Sequence, residues 1–205
     1  MIALVDYGAG NLASVRKALR ACGADAVAPA GPANLERATA IVLPGVGHFA
    51  ATASLDDEWR TAIRRRLHAG VPFLGICLGM QWLFEGSDEA PAAPGLGWLA
   101  GRVTRLPERT QDGERLKVPH AGWNVAHVTA VDAGATVPGL KDGEHFYFTH
   151  AYAAPVTGAT AATTVYGVPF AAAVRSGNVC GVQFHPEKSG AAGLAVLRAF
   201  LGGLR

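Results

Sequence analysis

The sequence predicts an α/β fold: one mixed, mainly parallel twisted sheet with helices on both faces, forming a single domain over residues 1–205. Three observations carry this. Buried strand-like runs alternate with helix-period segments through the first part of the chain, as a sheet built from βα units requires. Several of those runs end in glycine-containing turns. The composition is 50% hydrophobic and 17% charged over 205 residues, enough to bury a sizeable core without disulfides or metal clips.

Ile2 to Asp6 reads as a buried strand. After Tyr7-Gly8-Ala9-Gly10, the residues Leu12, Val15, Leu19 and Cys22 recur at spacings of three and four, which predicts a helix that Gly23 stops. Ala26-Val27-Ala28 and Ala40 to Leu43 are two further strands, the second broken by Pro44-Gly45-Val46-Gly47. Asp56 to His68 carries Trp59, Ile63 and Leu67 at helical spacing, with acids first and Arg and His later, the order that suits the helix dipole; Gly70 ends it. Val71 to Ile76 is a buried strand handing over to an apolar helix, Cys77 to Phe84. Gly86 to Gly97, rich in Pro, Ala and Gly, reads as a surface loop.

Short strands follow at Arg102 to Leu106, Trp123 to Val128, His145 to Thr149, Thr163 to Tyr166, Phe170 to Val174 and Val179 to Phe184, so the second half is more antiparallel. Gly190 to Leu201 closes the chain as an amphipathic helix with Leu194, Leu197 and Leu201 in line. No internal repeat, charged tail or linker divides it.

Charge and cysteine usage narrow the function classes. With 18 Lys plus Arg against 16 Asp plus Glu, the formal charge of +2 is too small and scattered for a nucleic-acid partner. The densest basic run, Arg64-Arg65-Arg66, is expected to be a solvated helix face. Three cysteines without a Cys-x-x-Cys pair, and a first strand with no basic or long apolar leader before it, point to a reducing cytoplasm. No apolar stretch approaches the roughly 20 residues a membrane span needs.

The strongest chemical signal is Gly75-Ile76-Cys77-Leu78-Gly79 at a strand-to-helix junction. It is the cysteine counterpart of the Gly-x-Ser-x-Gly elbow, where flanking glycines make room for a nucleophile on a sharp turn. The following helix start offers the Leu78 N–H and a positive dipole to a thiolate or an oxyanion. A lone cysteine in an apolar run is otherwise an inert small hydrophobe. A second segment, Gln183-Phe184-His185-Pro186-Glu187, changes that balance. With Pro186 keeping the backbone extended, His185 and Glu187 project to the same side, so that the carboxylate holds one imidazole nitrogen and the other faces a substrate. The third segment is Pro44-Gly45-Val46-Gly47, whose glycines let backbone N–H groups of Val46 and Gly47 turn outward as a second oxyanion donor. In an open α/β sheet, loops after parallel strands gather at one edge, which lets the three segments meet.

Two patterns point elsewhere and fail. Gly8-Ala9-Gly10-Asn11-Leu12-Ala13 matches a dinucleotide fingerprint, but where the ribose-binding acid belongs the chain reads Ala28-Pro29-Ala30-Gly31, so no cofactor is expected. His120, His127, His145 and His150 lack metal-ligand spacings, so no metal is expected either.

Gly75-Ile76-Cys77-Leu78-Gly79-Met80-Gln81 together with His185-Pro186-Glu187 resembles the Cys-His-Glu triad of class I glutamine amidotransferases, a flavodoxin-like fold. Within that class, Asp6-Tyr7-Gly8-Ala9-Gly10-Asn11, Pro44 to Phe49, Pro119-His120-Ala121-Gly122-Trp123-Asn124 and His185 to Ser189 are similar to the glutaminase subunits of imidazole glycerol phosphate synthases. The resemblance runs in register over nearly the whole chain. It implies hydrolysis of glutamine and transfer of ammonia to a separate cyclase subunit of (β/α)8-barrel fold, in a heterodimer. It also implies that Gly45, Gln81, His150, Ala151 and Tyr152 contact glutamine, and that Asn11, His120, Trp123, Asn124 and Lys188 lie near the cyclase. One departure stands out: the family has Ser or Thr in the His-x-Tyr run where this chain has Ala151. A backbone contact to glutamine would tolerate that change, whereas a hydroxyl contact would be lost.

Overall fold

The computed structural model describes residues 1–129 and 136–204. Along the chain the strands are β1 (Ile2–Leu4), β2 (Ala26–Val27), β3 (Ala40–Gly45), β4 (Phe73–Cys77), β5 (Gly86–Ser87), β6 (Arg102–Arg105), β7 (His120–Val128), β8 (Glu144–His150), β9 (Tyr152–Ala153), β10 (Thr160–Tyr166), β11 (Val168–Ser176) and β12 (Val179–Val182). The helices are α1 (Leu12–Ala21), α2 (Asp57–His68), α3 (Leu78–Gln81) and α4 (Gly190–Gly202), with 3-10 turns at Pro32–Arg37, Phe49–Ser54 and Pro186–Lys188.

Nine strands form one sheet in the order β2-β1-β3-β4-β12-β11-β10-β7-β8. From β2 to β12 neighbouring strands are parallel; from β12 to β8 they are antiparallel. The mixed sheet expected from the sequence is therefore divided in space, with a parallel half and an antiparallel half joined at β12. A smaller sheet, β5-β6-β9, lies apart from it.

Strand alternation sorts the apolar side chains into two cores. On one face Ile2, Leu4, Val42, Leu74 and Val182 pack under α1 and α4 through Val15, Leu19, Val196 and Phe200. On the other, Ala3, Ile41, Leu43 and Phe73 pack under α2 and α3 through Ile63, Leu67 and Met80. Fully burying each such large aliphatic or aromatic side chain contributes about 1.5–3 kcal/mol. Helix ends follow the sequence: Asn11 caps α1 by accepting from Ser14 N–H at 3.3 Å, and Asp56 caps α2 by accepting from Trp59 N–H at 3.0 Å.

Four details depart from the sequence reading. The helix expected to run to Phe84 ends at Gln81, because N–H groups of Leu96, Gly97, Trp98 and Leu99 take the carbonyls of Trp82, Leu83 and Phe84. The supposed surface loop from Gly86 to Gly97 is thereby tied to the core and contributes β5. Strand β3 does not break at Pro44 but continues through Gly45, which pairs with Cys77. In α4 the buried residues are Gly193, Val196, Leu197 and Phe200, while Leu194 and Leu201 rim that face, since an almost wholly apolar helix gives no clear stripe to read. Arg64 and Arg65 are exposed as expected, and Arg66 donates to the Ala38 carbonyl at 2.7 Å.

Candidate active site

Cys77 ends β4 with φ 53° and ψ −108°, the single positive φ outside glycine among the described residues. A non-glycine residue held there costs about 1–3 kcal/mol, and the surrounding glycines are what permit it. A Cβ on Gly75 would stand 2.6 Å from the Gly79 carbonyl oxygen; one on Gly79 would collide with the Leu43 carbonyl, and one on Gly45 with the Tyr7 hydroxyl. The Gly-x-Cys-x-Gly spacing is thus a packing requirement of the elbow. Burial, and then the adjacent Cys77, push the Tyr7 phenol well above its usual pKa and keep it protonated. Because α3 is a single turn, its dipole is small, and the Leu78 N–H at its head matters more than the macrodipole the sequence suggested.

His185 follows β12, the strand paired with β4 through Val182 and Ile76, so the parallel register carries both chain segments to the same sheet edge. Its Nδ1 lies 2.8 Å from Glu187 Oε1, and both side chains are 1% exposed. The route of that contact differs from the extended backbone expected: Pro186–Lys188 is a 3-10 turn that folds the carboxylate back toward the ring. The turn is pinned to β8, since His185 N–H donates to the Tyr147 carbonyl at 2.9 Å. Ser189, which the sequence reading did not single out, donates to the His185 carbonyl at 2.7 Å and accepts from Tyr147 N–H at 2.9 Å. The other ring nitrogen, Nε2, is buried without a hydrogen bond of ordinary geometry. Burial alone would lower the His185 pKa, but hydrogen bonding and charge from Cys77 and Glu187 outweigh it, and the value is pushed up to about 10. Two of the three segments therefore bring a sulfur, an imidazole and a carboxylate together.

A small cavity beside Cys77 is lined by Gly47, Leu78, Gln81, Glu89 and residues 149–152. His150, Ala151 and Tyr152, for which the resemblance implied glutamine contacts, are among its lining residues. Glu89, another lining residue, was not foreseen; its Oε2 accepts from Phe49 N–H at 2.8 Å, which fixes the carboxylate. The Pro44 to Gly47 turn is less simple than anticipated. Gly47 has the left-handed φ of 94° that its glycine permits, but Val46 N–H points at the Ala9 carbonyl, 3.4 Å away, rather than toward Cys77.

Behind the cavity runs a line of buried polar groups whose direction one atom settles. The Tyr152 carbonyl can only accept, so His150 Nδ1, 2.9 Å from it, carries the proton. His150 Nε2 is then an acceptor for His120 Nδ1 at 3.3 Å, which leaves His120 Nε2 to accept from Asn124 Nδ2 at 3.3 Å. Both rings are neutral: burial lowers His150 to about 3 and His120 to about 4.

The residues expected near a partner separate into two kinds. His120 is only 4% exposed, stacked on Tyr166 with ring centroids 4.1 Å apart, because β7 turns it inward. Asn124 donates to the Val165 carbonyl at 3.1 Å, and Asn11 is occupied as the α1 cap. Trp123, by contrast, is 57% exposed and so is no core residue. It stands 6.2 Å from the ring of the half-buried Tyr147, over which the exposed Lys188 Nζ sits at 5.9 Å, giving a Trp-Tyr-Lys row.

An elbow cysteine at the end of a parallel strand, with a His-Glu pair following the neighbouring strand, is the kind of arrangement that acyl-transfer chemistry uses. The family model "Glutamine amidotransferase class-I" matches residues 3–202, and the chain belongs to that family. It is 46% identical over 202 residues to "Imidazole glycerol phosphate synthase subunit HisH" of Methanothermobacter thermautotrophicus, spanning 98% of each chain. It is 45% identical over 204 residues to the protein of the same name from Desulfitobacterium hafniense strain Y51, spanning 98% of this chain and 93% of that one. Among solved structures, "Crystal structure of glutamine amidotransferase" superposes with a TM-score of 0.74 at 20% identity, over 100% of this chain and 99% of the other. "Structure of PurLQS from Thermotoga maritima" gives 0.73 at 20% identity over 100% and 98%; at that identity both show the shared fold. No helix among the described residues is long and apolar enough to cross a membrane.

Proposed function

We infer that this chain is the glutaminase subunit of an imidazole glycerol phosphate synthase, acting in the cytoplasm as a heterodimer with a (β/α)8-barrel cyclase in histidine biosynthesis. Family membership and the near-full-length similarity to proteins named for that subunit support it. The observation that carries the chemistry is the His185–Glu187 pair at 2.8 Å, delivered by the strand next to the one that ends in Cys77.

Cys77 Sγ attacks the side-chain amide carbon of glutamine, and the carbonyl oxygen takes up the negative charge. The Leu78 N–H receives that charge, joined by Val46 or Gly47 N–H once the turn reorients. His185, charged at neutral pH, gives its proton to the departing nitrogen, so ammonia leaves and a cysteinyl thioester remains. Water then attacks the thioester and gives a proton to His185, which releases glutamate and restores the sulfur anion beside the charged ring. Glu187 holds the ring in position throughout. Gln81, whose amide hydrogens are engaged elsewhere, offers its Oε1 to substrate, and Glu89 supplies the anion that an α-ammonium group calls for. Ala151 and Tyr152 contribute backbone contacts, so a missing hydroxyl at Ala151 is tolerated. Ammonia passes to the cyclase, which forms imidazole glycerol phosphate and an aminoimidazole carboxamide ribotide. The exposed Trp123 and Lys188 mark the docking face.

Labelling with a diazo-ketone glutamine analogue, read by mass spectrometry, tests the assignment. Attachment to Cys77 is expected; attachment elsewhere sinks it. Cys77→Ala is expected to abolish glutamine-dependent synthesis by the complex while ammonia-dependent synthesis continues.

A further inference from the structure

We propose that Gln183 is a positioning residue for Cys77: its side-chain amide, oriented by the Tyr152 carbonyl through Gln81, donates to Sγ and holds the sulfur as an acceptor beside the substrate cavity. This rests on the reading of Cys77 as the nucleophile.

Gln183 is fully buried, two residues before His185, with its own N–H bonded to the Ala172 carbonyl at 2.8 Å. Its amide direction follows from its neighbours. Gln81 Nε2 lies 2.8 Å from the Tyr152 carbonyl, an atom that can only accept, and the same nitrogen lies 3.0 Å from Gln183 Oε1. Both hydrogens of the Gln81 amide are thereby used. The oxygen of Gln183 must face Gln81, so its Nε2, 3.5 Å from Cys77 Sγ, faces the sulfur as a donor. Turning the Gln183 amide over would set two NH2 groups against each other and an oxygen against sulfur, leaving buried polar atoms unpaired at a cost that a closed core does not tolerate.

The sulfur therefore has an N–H donor on one side and the His185 ring on another. A donor aimed at sulfur fixes the direction of its lone pairs, which is what an oriented nucleophile needs in the first step. Gln183 acts on the reaction only through Sγ; it does not line the cavity, whereas Gln81 does. One carbonyl thus sets both the floor of the substrate site and the orientation of the group behind the nucleophile.

The test compares Gln183→Glu and Gln183→Met with the unaltered chain, each as the full chain bound to its cyclase. Gln183→Glu keeps length and the acceptor for Gln81 but exchanges the donor for an oxygen; Gln183→Met removes donor and acceptor together. In both, kcat for glutamine hydrolysis and the rate of Cys77 alkylation by iodoacetamide at neutral pH are expected to fall together, by about ten- to a hundredfold. KM for glutamine should hold in Gln183→Glu and rise in Gln183→Met, where Gln81 is released. The positioning role is overturned if Gln183→Met keeps its kcat and alkylation rate, or if the losses in both variants merely track the folded fraction seen by thermal melting. If the glutamine analogue fails to label Cys77 in the unaltered chain, the nucleophile assignment falls and the positioning role with it; labelling that persists undiminished in both variants removes only the role of Gln183.

Discussion

At His185, burial pulls toward the neutral ring and two acidic neighbours pull toward the charged one; at His120 and His150 burial acts with no acid to oppose it. The pKa values separate accordingly, to about 10 for His185 and about 4 and 3 for the other two. The signs of their stability contributions are opposite. For His185 the folded value is raised, so its contribution is full below the ordinary value of about 6.5 and is lost as pH climbs toward about 10. For His120 and His150 the folded values are depressed, so the unfolded chain takes up protons that the folded one refuses, and stability falls as pH drops below about 6.5. Imidazole NMR titration is expected to show two of the seven histidines neutral at pH values where exposed ones are charged, and one still charged well above neutrality. Cys77→Ala should lower the His185 midpoint, since it removes hydrogen bonding and charge from sulfur; an unmoved midpoint would show that the sulfur does not act on the ring.

At the scale of elements, the β4 to α3 elbow makes the sharpest demand on sequence. A Cβ on Gly79 has a backbone carbonyl in its way, Leu43 on β3, and backbone cannot step aside as a flexible side chain can. Gly79→Ala is expected to destabilise by about 1–3 kcal/mol or more, seen as a melting temperature lower by several degrees, with glutaminase activity lost as the elbow shifts. Gly31→Ala, where a Cβ meets nothing within 4 Å, is the control and should melt like the unaltered chain. Equal melting temperatures for the two variants would refute the packing account. This elbow is also where the sequence is most legible, because its glycines, its cysteine and its strand form one local pattern. The end of α3 is illegible for the opposite reason. Trp82, Leu83 and Phe84 look like more helix, and what stops them is a set of N–H donors from residues 96 to 99 that no local pattern announces. Likewise His185 and Glu187 are readable as a pair from their spacing, while the 3-10 turn that joins them depends on contacts with β8.

For the whole molecule, the resting direction of Val46 N–H carries the functional weight. It lies 3.4 Å from the Ala9 carbonyl, and in the proposed mechanism this long bond is the one exchanged for the oxyanion when the cyclase docks. A free glutaminase would waste glutamine, so the cyclase is expected to raise steady-state ammonia release by completing the oxyanion hole, by about a hundredfold or more if a full donor is gained. Equal rates with and without cyclase would refute the switch. Residues whose role depends on such long-range assembly are the ones a sequence hides. Glu89 and Gln183 belong to no spacing pattern, and they reach the site only because the 86–97 segment and β12 fold against it from distant parts of the chain. The place of β12 has one more outcome. The strand follows β11 in the chain yet enters between β4 and β11, in the middle of the sheet and not at its rim. A chain that already displays Cys77 but not yet β12 has neither the His185–Glu187 pair nor the strand that joins the two halves of the sheet.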